Sequence, residues 1–600
     1  MLLEKDSGAH VTSTAYPRHV PVWRQCLNII CCFLSAPIYF LMTMSTHYPV
    51  TLDILLTIIL AELNRFYNQR RREKLQELNG QDESPVREKE DWLKWELNVE
   101  KAAPRLDCMA AVVGWREDPD LFSRALESYK GTEGCTFLLV GVDGDEAEDQ
   151  DMVDVFNQVY PERSAVIHIS EPLGELAERT RAKLVAMRLQ DGQPVDDAEI
   201  DKQAMQHCIA LARTILDHHN LTIGGDYHTG IRQVCLRQRH MHKKGIMFTT
   251  FVFSLVIADI LGIEFLWSSD SDTIVFEDSI SRTVDSIAAD PRIGGASSGL
   301  VVHNSAETAV TKLAATIYWG ELYLTRSSTA VTATSDCQSG PSSVFRLAAL
   351  PDILVPWYLQ TVLGKRMIIN EDRHLTTNLL LRGWGVVYAS DVLAATDTPT
   401  TMSKWLKQQL RWARATHIES LLMPRVYLRT HPLLFFGMAK REFGPVLGAV
   451  AVAYYLLTSR KLVSVSFADV GIRMLLGVLY NVLRNPDRLG RGIGASGKWV
   501  VPGFFFYYIP LPAVHVWSML TLTADGWGTS MRADGDTIPA TVSGEKPQFD
   551  LGFFVVWIGV LAAASAKWAA CYHDLDLLNT GLLMIISISI ASFGAWRLTI

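Results

Sequence analysis

Long charge-free apolar runs occupy the two ends of the chain, and short apolar runs between polar turns occupy its middle. No Asp, Glu, Lys or Arg lies between Gln25 and Leu52, and a span needs roughly 20 apolar residues. The next apolar stretch, Pro49 to Phe66, contains Asp53 and Glu62. We predict two N-terminal spans, in a membrane region of residues 1–67.

Apolar runs in residues 441–600 predict four or five further crossings: Phe443–Ser459, Leu462–Leu483, Trp499–Ala524, Leu551–Ser565 and Leu577–Trp596. A buried core helix is the alternative for each run. Asp469 and Arg473 interrupt the second run and could line a polar path or pair with each other. Pro502, Pro510 and Pro512 remove helix hydrogen bonds in the third run. We therefore expect a broken interfacial or re-entrant segment there and six crossings in all, with a plain seventh span as the alternative.

A basic cluster follows the second N-terminal run and indicates which side of the membrane the middle of the chain occupies. It consists of Arg65, Arg70, Arg71, Arg72 and Lys74. Such clusters beside a span mark its cytoplasmic end. The residues after about 68 are therefore expected in the cytosol.

The region 68–395 alternates short apolar runs with longer amphipathic stretches. Met109–Val113, Leu121–Tyr129 and Thr136–Val142 read as strand, helix and strand, which is typical of a parallel sheet with crossover helices. Gly262–Trp267 is a further predicted strand. Asp143, and the pair Asp270 and Asp272, follow two of these strands. Since ligands of open α/β sheets bind at the carboxyl ends of the strands, these carboxylates are placed for chemistry.

Charge and cysteine content exclude several classes of protein. Lys and Arg number 56 against 64 Asp and Glu, a net charge of −8, and there is no long basic tract. A nucleic-acid binder would carry a basic patch, so no nucleic-acid partner is expected. The nine cysteines form no CxxC pair, which argues against a zinc module or a disulfide framework.

Three groups of residues could carry chemistry, each with a structural alternative. The carboxylates of Asp270-Ser271-Asp272 suit Mg²⁺ or Mn²⁺, but an Asp- and Ser-rich turn is common for its hydrogen bonds alone. Glu371 and Asp372 open a helical pattern and could simply interact with the helix dipole. Gln408, Arg411 and Trp412 lie in Lys404–Leu422, predicted to be a helix along the membrane surface within residues 396–440.

Taken together and in this order, the motifs resemble the processive family 2 glycosyltransferases, which include cellulose, chitin and hyaluronan synthases. Hyaluronan synthases are the nearest match, over about residues 105 to 535. The resemblance rests on these segments: Gly114–Pro119, Asp143, Asp270-Ser271-Asp272, Cys337-Gln338-Ser339-Gly340-Pro341, Glu371–Thr376, Gln408–Trp412 and Trp527–Arg532. Such a chain could belong to the branch of fungal cell-wall polysaccharide synthases that resembles the hyaluronan synthases.

This resemblance implies a GT-A type nucleotide-sugar-binding domain inserted between transmembrane helices of a multi-pass plasma-membrane protein. It implies an inverting enzyme that transfers a sugar from a UDP-sugar to a growing polysaccharide and moves the polymer across the lipid bilayer. The implied catalytic residues are Asp372 and Glu371, and the implied metal ligand is Asp272. The implied substrate-binding residues are Asp143, Asp270, Lys243, Lys244, Cys337, Gly340, Gln408, Arg411, Trp412, Trp527, Thr529 and Ser530, of which the last three belong to a gating loop.

Some positions depart from the family pattern and leave the sugar and the polymer open. Gln338 replaces the usual Ile, Asn370-Glu371 replaces Gly-Asp, Met531 replaces Gly, and His242-Lys243-Lys244 replaces Gly-Lys-Arg. Two other functions also stay open. One is a transporter or structural protein with an inactive domain, and the other is a non-processive lipid-linked sugar transferase.

Overall fold

The computed structural model describes residues 17–82, 106–219, 221–223, 230–487, 493–523 and 551–599. Its strands are β1 Cys108–Gly114, β2 Cys135–Asp143, β3 Ser164–Ile169, β4 Gln233–Gln238, β5 Phe265–Asp270, β6 Ile274–Val275, β7 Ile293–Val302, β8 Ser343–Arg346, β9 Thr361–Val362, β10 Lys365–Arg366 and β11 Gly385–Thr396. Nine of them form one sheet in the order β3-β4-β2-β1-β5-β8-β7-β11-β6, and β9 and β10 form a small hairpin.

The helices fall into three groups along the chain. Those before the sheet are α1 Val22–Ser45 and α2 Pro49–Asp82. Those within the sheet region are α3 Pro119–Ser128, α4 Gln150–Val159, α5 Leu173–Gln190, α6 Asp197–His218, α7 His242–Leu261, α8 Ser279–Ala288, α9 Ala309–Tyr318, α10 Ser327–Thr329, α11 Pro351–Tyr358 and α12 Glu371–Leu381. Those after it are α13 Met402–Leu422, α14 Val426–Arg429, α15 Pro432–Thr458, α16 Phe467–Arg484, α17 Ile493–Tyr508, α18 Leu511–Leu520, α19 Gly552–Tyr572 and α20 Leu577–Thr599.

Both faces of the sheet are buried, as the central strand β1 shows. Met109, Ala111 and Val113 belong to one apolar cluster, and Cys108, Ala110 and Val112 belong to the cluster on the opposite face. Successive side chains of a strand point to opposite faces, so a strand apolar on both sides must be covered on both sides. Helix α7, which is apolar enough to cross a membrane, is 78% buried and packs against β1 and β2. The predicted α/β fold between flanking apolar helices is confirmed.

The sheet departs from the predicted all-parallel arrangement at β8 and β6. Strand β8 runs antiparallel to both β5 and β7, and β6 runs antiparallel to β11. The strand predicted at Gly262–Trp267 also lies further along the chain in the structure, at Phe265–Asp270. Gly262 has φ +67° and ends helix α7, a left-handed position that glycine adopts at little cost. The strand therefore begins only at Phe265.

The first charge-free run is divided between two helices. Helix α1 ends at Ser45 and α2 begins at Pro49, so the run from Gln25 to Leu52 is not one continuous helix. Helix α2 extends over 34 residues and leaves the apolar region to pack against the sheet region through α8 and β11. The predicted boundary at residue 67 thus lies inside a continuous helix.

Asp469 and Arg473 do not pair with each other, in contrast to one of the expectations. The Asp469 carboxylate accepts hydrogen bonds from the backbone N–H groups of Val50 (3.0 Å) and Thr51 (2.8 Å). These N–H groups lie in the first turn of α2, where no carbonyl of the same helix can accept from them. The Arg473 guanidinium lies over the Phe504 ring at 4.4 Å. Each charge therefore has a partner on another helix.

Five helical stretches in the described residues are long and apolar enough to cross a membrane, and one of them is the buried α7. The other four are Val22–Ser45, Gly497–Leu520, Gly552–Tyr572 and Leu577–Thr599. The helix through the proline-containing run is broken at Ile509 and Pro510, between α17 and α18. Pro502 lies inside α17, and Pro512 lies in the first turn of α18, where a proline is tolerated. The helix break predicted from the prolines is therefore present, and it lies at Pro510.

Candidate active site

The carboxyl ends of neighbouring parallel strands bring the predicted acidic residues together. Strands β2 and β5 flank β1 and run parallel to it, with Val113 paired to Asp270 and Gly114 paired to Val142. Asp143 and Asp270 are the last residues of their strands. Asp143 is buried and accepts a hydrogen bond from the Met241 N–H at 2.8 Å, and the His240 ring lies 2.9 Å from its other oxygen. The Asp143 and Asp270 carboxylates thus lie at the same edge of the sheet.

Lys243, in the first turn of α7, joins the strand-end carboxylates to helix α12. Its Nζ lies 2.7 Å from Asp270 Oδ1 and 3.1 Å from Glu371 Oε1. Burial disfavours the ammonium, but the Asp270 and Glu371 carboxylates outweigh it and hold the pKa of Lys243 above its ordinary value. Gly340 lies against this pair, because a Cβ there would come within 3.0 Å of Lys243 Nζ. A side chain at this position would crowd the Lys243 ammonium, so glycine lets the loop approach the ion pair closely.

Asp272 faces other carboxylates. Burial, together with the charges of Glu117, Asp270 and Asp397, raises the pKa of Asp272 well above its ordinary value. Asp397 also has its pKa raised, to about 7, by burial and by Glu307. Ser271 donates a hydrogen bond to Glu117 at 2.9 Å, which holds this carboxylate beside the strand end. Carboxylate oxygens are the ligands that a hard divalent cation such as Mg²⁺ or Mn²⁺ prefers.

Asp372 lies in the first turn of α12 with both carboxylate oxygens near a donor. Oδ1 accepts from the Arg373 N–H at 2.6 Å, and Oδ2 accepts from the Cys337 thiol at 3.4 Å. Burial and the Asp372 carboxylate raise the pKa of Cys337 to about 12, so the thiol keeps its proton. The carboxylate is half-buried and lines the cavity described below.

Lys244 is the one predicted site residue in the described ranges that does not line the cavity described below. Its Nζ donates to the Met367 carbonyl at 2.9 Å and lies 5.4 Å from the centre of the Trp357 ring. Burial lowers the pKa of Lys244 to about 7. The ammonium is therefore enclosed in protein and does not line the cavity.

Helix α13 carries Gln408, Arg411 and Trp412 to the opposite wall of the cavity. Trp412 is 37% exposed and its ring lies edge-on to Tyr318, with 5.9 Å between centroids. Most of the helix is buried by protein, and it packs against α12, α18 and α20. Within the part of the chain that the structure describes, α13 is therefore surrounded mainly by other helices.

Glu419, also on α13, connects this helix to the start of α12. Its Oε1 accepts from Asn370 Nδ2 at 2.6 Å and Gln360 Nε2 at 2.9 Å, and lies 2.9 Å from His374 Nδ1. Burial alone would raise the pKa of Glu419, but its charge and hydrogen-bond partners hold it below its ordinary value. Asn370 precedes Glu371 and Asp372, so Glu419 fixes the two motifs relative to each other.

Three arginines from distant parts of the chain form a basic group whose assembly the sequence did not indicate. Arg373 and Arg441 both contact Asp336, at 2.6 and 2.7 Å, and Arg326 contacts Ser339. Burial opposes ionisation of Asp336, but Arg441 and Arg373 hold its pKa below the ordinary value. The arginines lie at separate positions in the sequence without a common motif, so only the fold reveals them.

A cavity of about 1300 Å³ joins these groups. It is lined by all the predicted site residues in the described ranges except Lys244: Asp143, Lys243, Asp270, Asp272, Cys337, Gly340, Glu371, Asp372, Gln408, Arg411 and Trp412. Asp397, Arg326 and Arg441 are lining residues that sequence reasoning missed, and Glu117 and Arg373 are lining residues from the motif segments to which it assigned no role. The cavity also reaches Tyr507, Pro510 and Leu511, at the break between α17 and α18. Trp527, Thr529 and Ser530 lie outside the described residues.

Two of the positions that depart from the family pattern, Gln338 and His242, are accommodated in the structure in identifiable ways. Gln338 is buried, and its Nε2 donates to the carbonyls of Ala296 and Val344, both at 3.0 Å. His242, in the place of a glycine, has φ +63°, a conformation uncommon for residues other than glycine but less so for His. Gln338 is thus accommodated by hydrogen bonds, and His242 by adopting the backbone conformation that a glycine favours.

Comparison with known proteins gives matches over most of the chain. Residues 268–521 match the family Glycosyl transferase family group 2. The chain is 24% identical over 446 residues to hyaluronan synthase 2 of Rattus norvegicus, covering 71% of this chain and 69% of that protein. It is 22% identical over 488 residues to hyaluronan synthase 3 of Xenopus laevis, covering 80% and 76%.

Among solved structures, the mannosyltransferase PcManGT from Pyrobaculum calidifontis, in complex with GDP-Man and Mn2+, matches with a TM-score of 0.34 and 11% identity. That match covers 77% of this chain and 99% of the other. The family match begins at Ser268, in β5, and includes the segments of Asp270, Glu371 and Gln408.

Proposed function

We propose that this chain, a family 2 glycosyltransferase distantly related to the hyaluronan synthases, polymerises a UDP-sugar into an extracellular or cell-wall polysaccharide and moves the product across the membrane. The observation that supports the proposal is one continuous cavity. It extends from the carboxylates at the strand ends to the break between α17 and α18. A donor bound at the sheet edge would therefore lie next to a protein-lined route into the apolar helices, which a polymer rich in hydroxyl groups requires.

The donor nucleotide is assigned to the edge formed by β2 and β5. Asp143 would bind the base and Asp270 the nucleotide-sugar, while Gly340 gives the diphosphate close access to the Lys243 ammonium. Lys244 is left out of this assignment, because its ammonium is held by the Met367 carbonyl. Lys243 is also held by Glu371, so Glu371 would act by keeping this cation in place.

A divalent cation, Mg²⁺ or Mn²⁺, fits the oxygen ligands around Asp272. Asp272 would hold the ion, and the ion would neutralise the diphosphate that leaves with the nucleotide. Asp397 and Glu117 contribute further negative charge beside it.

Asp372 is assigned as the general base that takes the proton from the acceptor hydroxyl in a single inverting displacement. It is half-buried and lines the cavity, whereas the neighbouring Glu371 is buried and paired with Lys243. Arg411 would hold the leaving diphosphate through its forked donors. The exposed face of Trp412 would stack on the terminal sugar of the polymer.

The arrangement in the membrane is part of the proposal. Residues 1–67 and 441–600 would supply the spans, 68–395 the cytosolic GT-A domain and 396–440 the helices at the interface, in a multi-pass plasma-membrane protein. Trp527, Thr529 and Ser530 would form a cytosolic gating loop. The polar contacts of Asp469 at the start of α2 support a close packing of the N-terminal and C-terminal helices.

Nucleotide release from a panel of UDP-sugars and from GDP-mannose, with Mn²⁺ and purified full-length protein, tests this function. We expect one or two UDP-sugars to release UDP and to yield a few long chains when donor is limiting, as a processive enzyme does. Asp259→Asn is a matched control, because Asp259 lies on α7, pairs with Arg213 of α6, and does not line the cavity. Short products distributed over all acceptors would contradict processivity. Release from GDP-mannose alone would contradict the UDP-sugar assignment.

A further inference from the structure

Three potential metal ligands meet in a buried position between α13, α15 and α18. They are His417, Glu442 and His515, one from each helix, and their nearest ligand atoms all lie within 4.8 Å of one another. His417 and Glu442 are fully buried, and His515 is 6% exposed. The sugar-transfer assignment uses none of these side chains.

The hydrogen bonds around His417 leave one of its ring nitrogens, Nδ1, directed at an acceptor. The Ser518 hydroxyl donates its hydrogen to the His515 carbonyl at 2.9 Å, so it accepts from His417 Nε2, 2.8 Å away. The proton of a neutral His417 is thereby placed on Nε2. Its Nδ1 lone pair then faces Glu442 Oε2, and two acceptors that face each other require a proton or a metal ion between them.

A proton could bridge His417 and Glu442, but it would leave other atoms of the group without hydrogen bonds. Both His515 Nδ1 and Glu442 Oε1 are buried without a hydrogen-bond partner. Arg441 Nε lies 3.9 Å from Glu442 Oε1, while its guanidinium contacts Asp336 at 2.7 Å. Buried polar atoms without hydrogen bonds are costly. A metal ion would accept a ligand from all three residues at once.

We propose that His417, Glu442 and His515 bind one Zn²⁺ ion. Two imidazoles and a carboxylate are a zinc ligand set, and the hydrogen bond from His417 Nε2 to Ser518 is the outer contact that orients a metal-bound histidine. His515 lines the cavity, from which water can supply the fourth ligand. Mg²⁺ and Mn²⁺ prefer oxygen ligands, so this site differs in chemistry from the Asp272 site.

The ion would join the helix of the proposed acceptor site to two helices of the C-terminal membrane region. His417 lies six residues after Arg411 on α13, and α15 and α18 carry the other two ligands. The bound ion would fix α13 against them and so hold Arg411 and Trp412 at the entrance of the broken segment.

Metal analysis of full-length protein in detergent tests the proposal. Wild type, His515→Gln and the control His207→Gln, an exposed histidine on α6, are stripped with chelator, reloaded with Zn²⁺ and separated from free metal. We expect wild type and His207→Gln to retain about one more zinc per chain than His515→Gln. Reloading with Co²⁺ should give the strong visible absorption of a tetrahedral site in wild type and the control only.

Zinc should also raise the apparent melting temperature of wild type and not of His515→Gln. If His515→Gln does not fold, Glu442→Gln replaces it, with far-ultraviolet circular dichroism as the check of folding. Equal zinc content in wild type and the folded variant, or Co²⁺ spectra that do not differ, would overturn the proposal. Because these measurements do not involve sugar transfer, that result would leave the proposed function unaffected.

Discussion

Replacing Asp372 by Asn removes the proposed general base while keeping the shape of the side chain. The hydrogen bonds around Asp372 allow this exchange. The Arg373 N–H is a fixed donor, so the Asn carbonyl oxygen would take the place of Oδ1, 2.6 Å away. The Asn NH₂ would then face the Cys337 sulfur, a weak acceptor that can turn its S–H elsewhere. No fixed donor is left without a partner, so we expect the fold to be retained.

The expected loss therefore falls on the chemical step. A positioned general base contributes about 10² to 10⁴-fold to the rate, which corresponds to about 2.7 to 5.4 kcal/mol of activation free energy at 1.36 kcal/mol per factor of ten. Lys243, Asp270 and Asp272 are unchanged in this variant, so the affinity for UDP with Mn²⁺ should stay within about twofold.

The assay pairs UDP release with calorimetric titration of UDP for wild type, Asp372→Asn and the control Asp259→Asn. We expect kcat to fall in Asp372→Asn alone. If that variant keeps a rate within about a factor of two of wild type, Asp372 is not the base. If UDP affinity falls together with kcat, the effect on rate cannot be assigned to proton transfer.

Three further predictions concern the metal, the topology and a buried lysine. Asp272→Ala should lose the Mn²⁺-dependent part of UDP affinity, measured by calorimetry with and without metal, because the diphosphate is then bound without its cation. Ser530→Cys, in a background without reactive thiols, should resist an impermeant thiol reagent on intact cells and react after the membrane is opened, because the loop is expected on the cytosolic side. Lys244 releases its proton at about pH 7 in the folded chain but at about pH 10.4 when unfolded. The unfolded state thus binds more protons between these values, so stability should rise with pH across this window in wild type and less in Lys244→Met, as measured by apparent melting temperatures at pH 7 and 9.

Each of these three predictions would be contradicted by a different result. Equal metal-dependent affinity in Asp272→Ala would place the cation elsewhere. Labelling of Ser530→Cys from outside the cell would refute both the re-entrant segment and the cytosolic gating loop. Parallel pH profiles for wild type and Lys244→Met would mean that the buried ammonium does not titrate in this range.

Sequence reasoning located the residues at the ends of strands well, because strand ends are marked by a change from apolar to polar residues. Asp143 and Asp270 follow such changes, and the parallel register of β1 with β2 and β5 brings them to one edge. The exact limits of β5 were harder to predict. Ser268 and Ser269 look like loop residues, but they are buried in the strand, where the Ser269 hydroxyl donates to the Pro341 carbonyl at 2.8 Å.

Residues that act through long-range pairing could not be predicted. Arg441 lies 105 positions from Asp336, and nothing local in the sequence joins them. Lys244 shows the opposite case, since it adjoins Lys243 in sequence but points to another part of the protein. On a helix, adjacent residues face directions about 100° apart, so neighbouring lysines need not share a site. The contact of Glu419 with Asn370 likewise depends on how α12 packs against α13.

Helix α2 would have a mechanical role in the polymer extrusion proposed above. Asn64 and Asn68 are fully buried and donate to the Tyr388 carbonyl of β11 at 2.9 and 2.7 Å, and Arg72 contacts Asp391 at 2.6 Å. These anchors lie 15 residues or more beyond Pro49, which is roughly 22 Å along the axis at 1.5 Å per residue. If residues 1–67 supply the proposed N-terminal spans, this continuous helix would tie the sheet to the bilayer at a set depth. In an enzyme that extends a polymer as proposed, it would then transmit to the membrane the force with which the growing chain pushes back on the site.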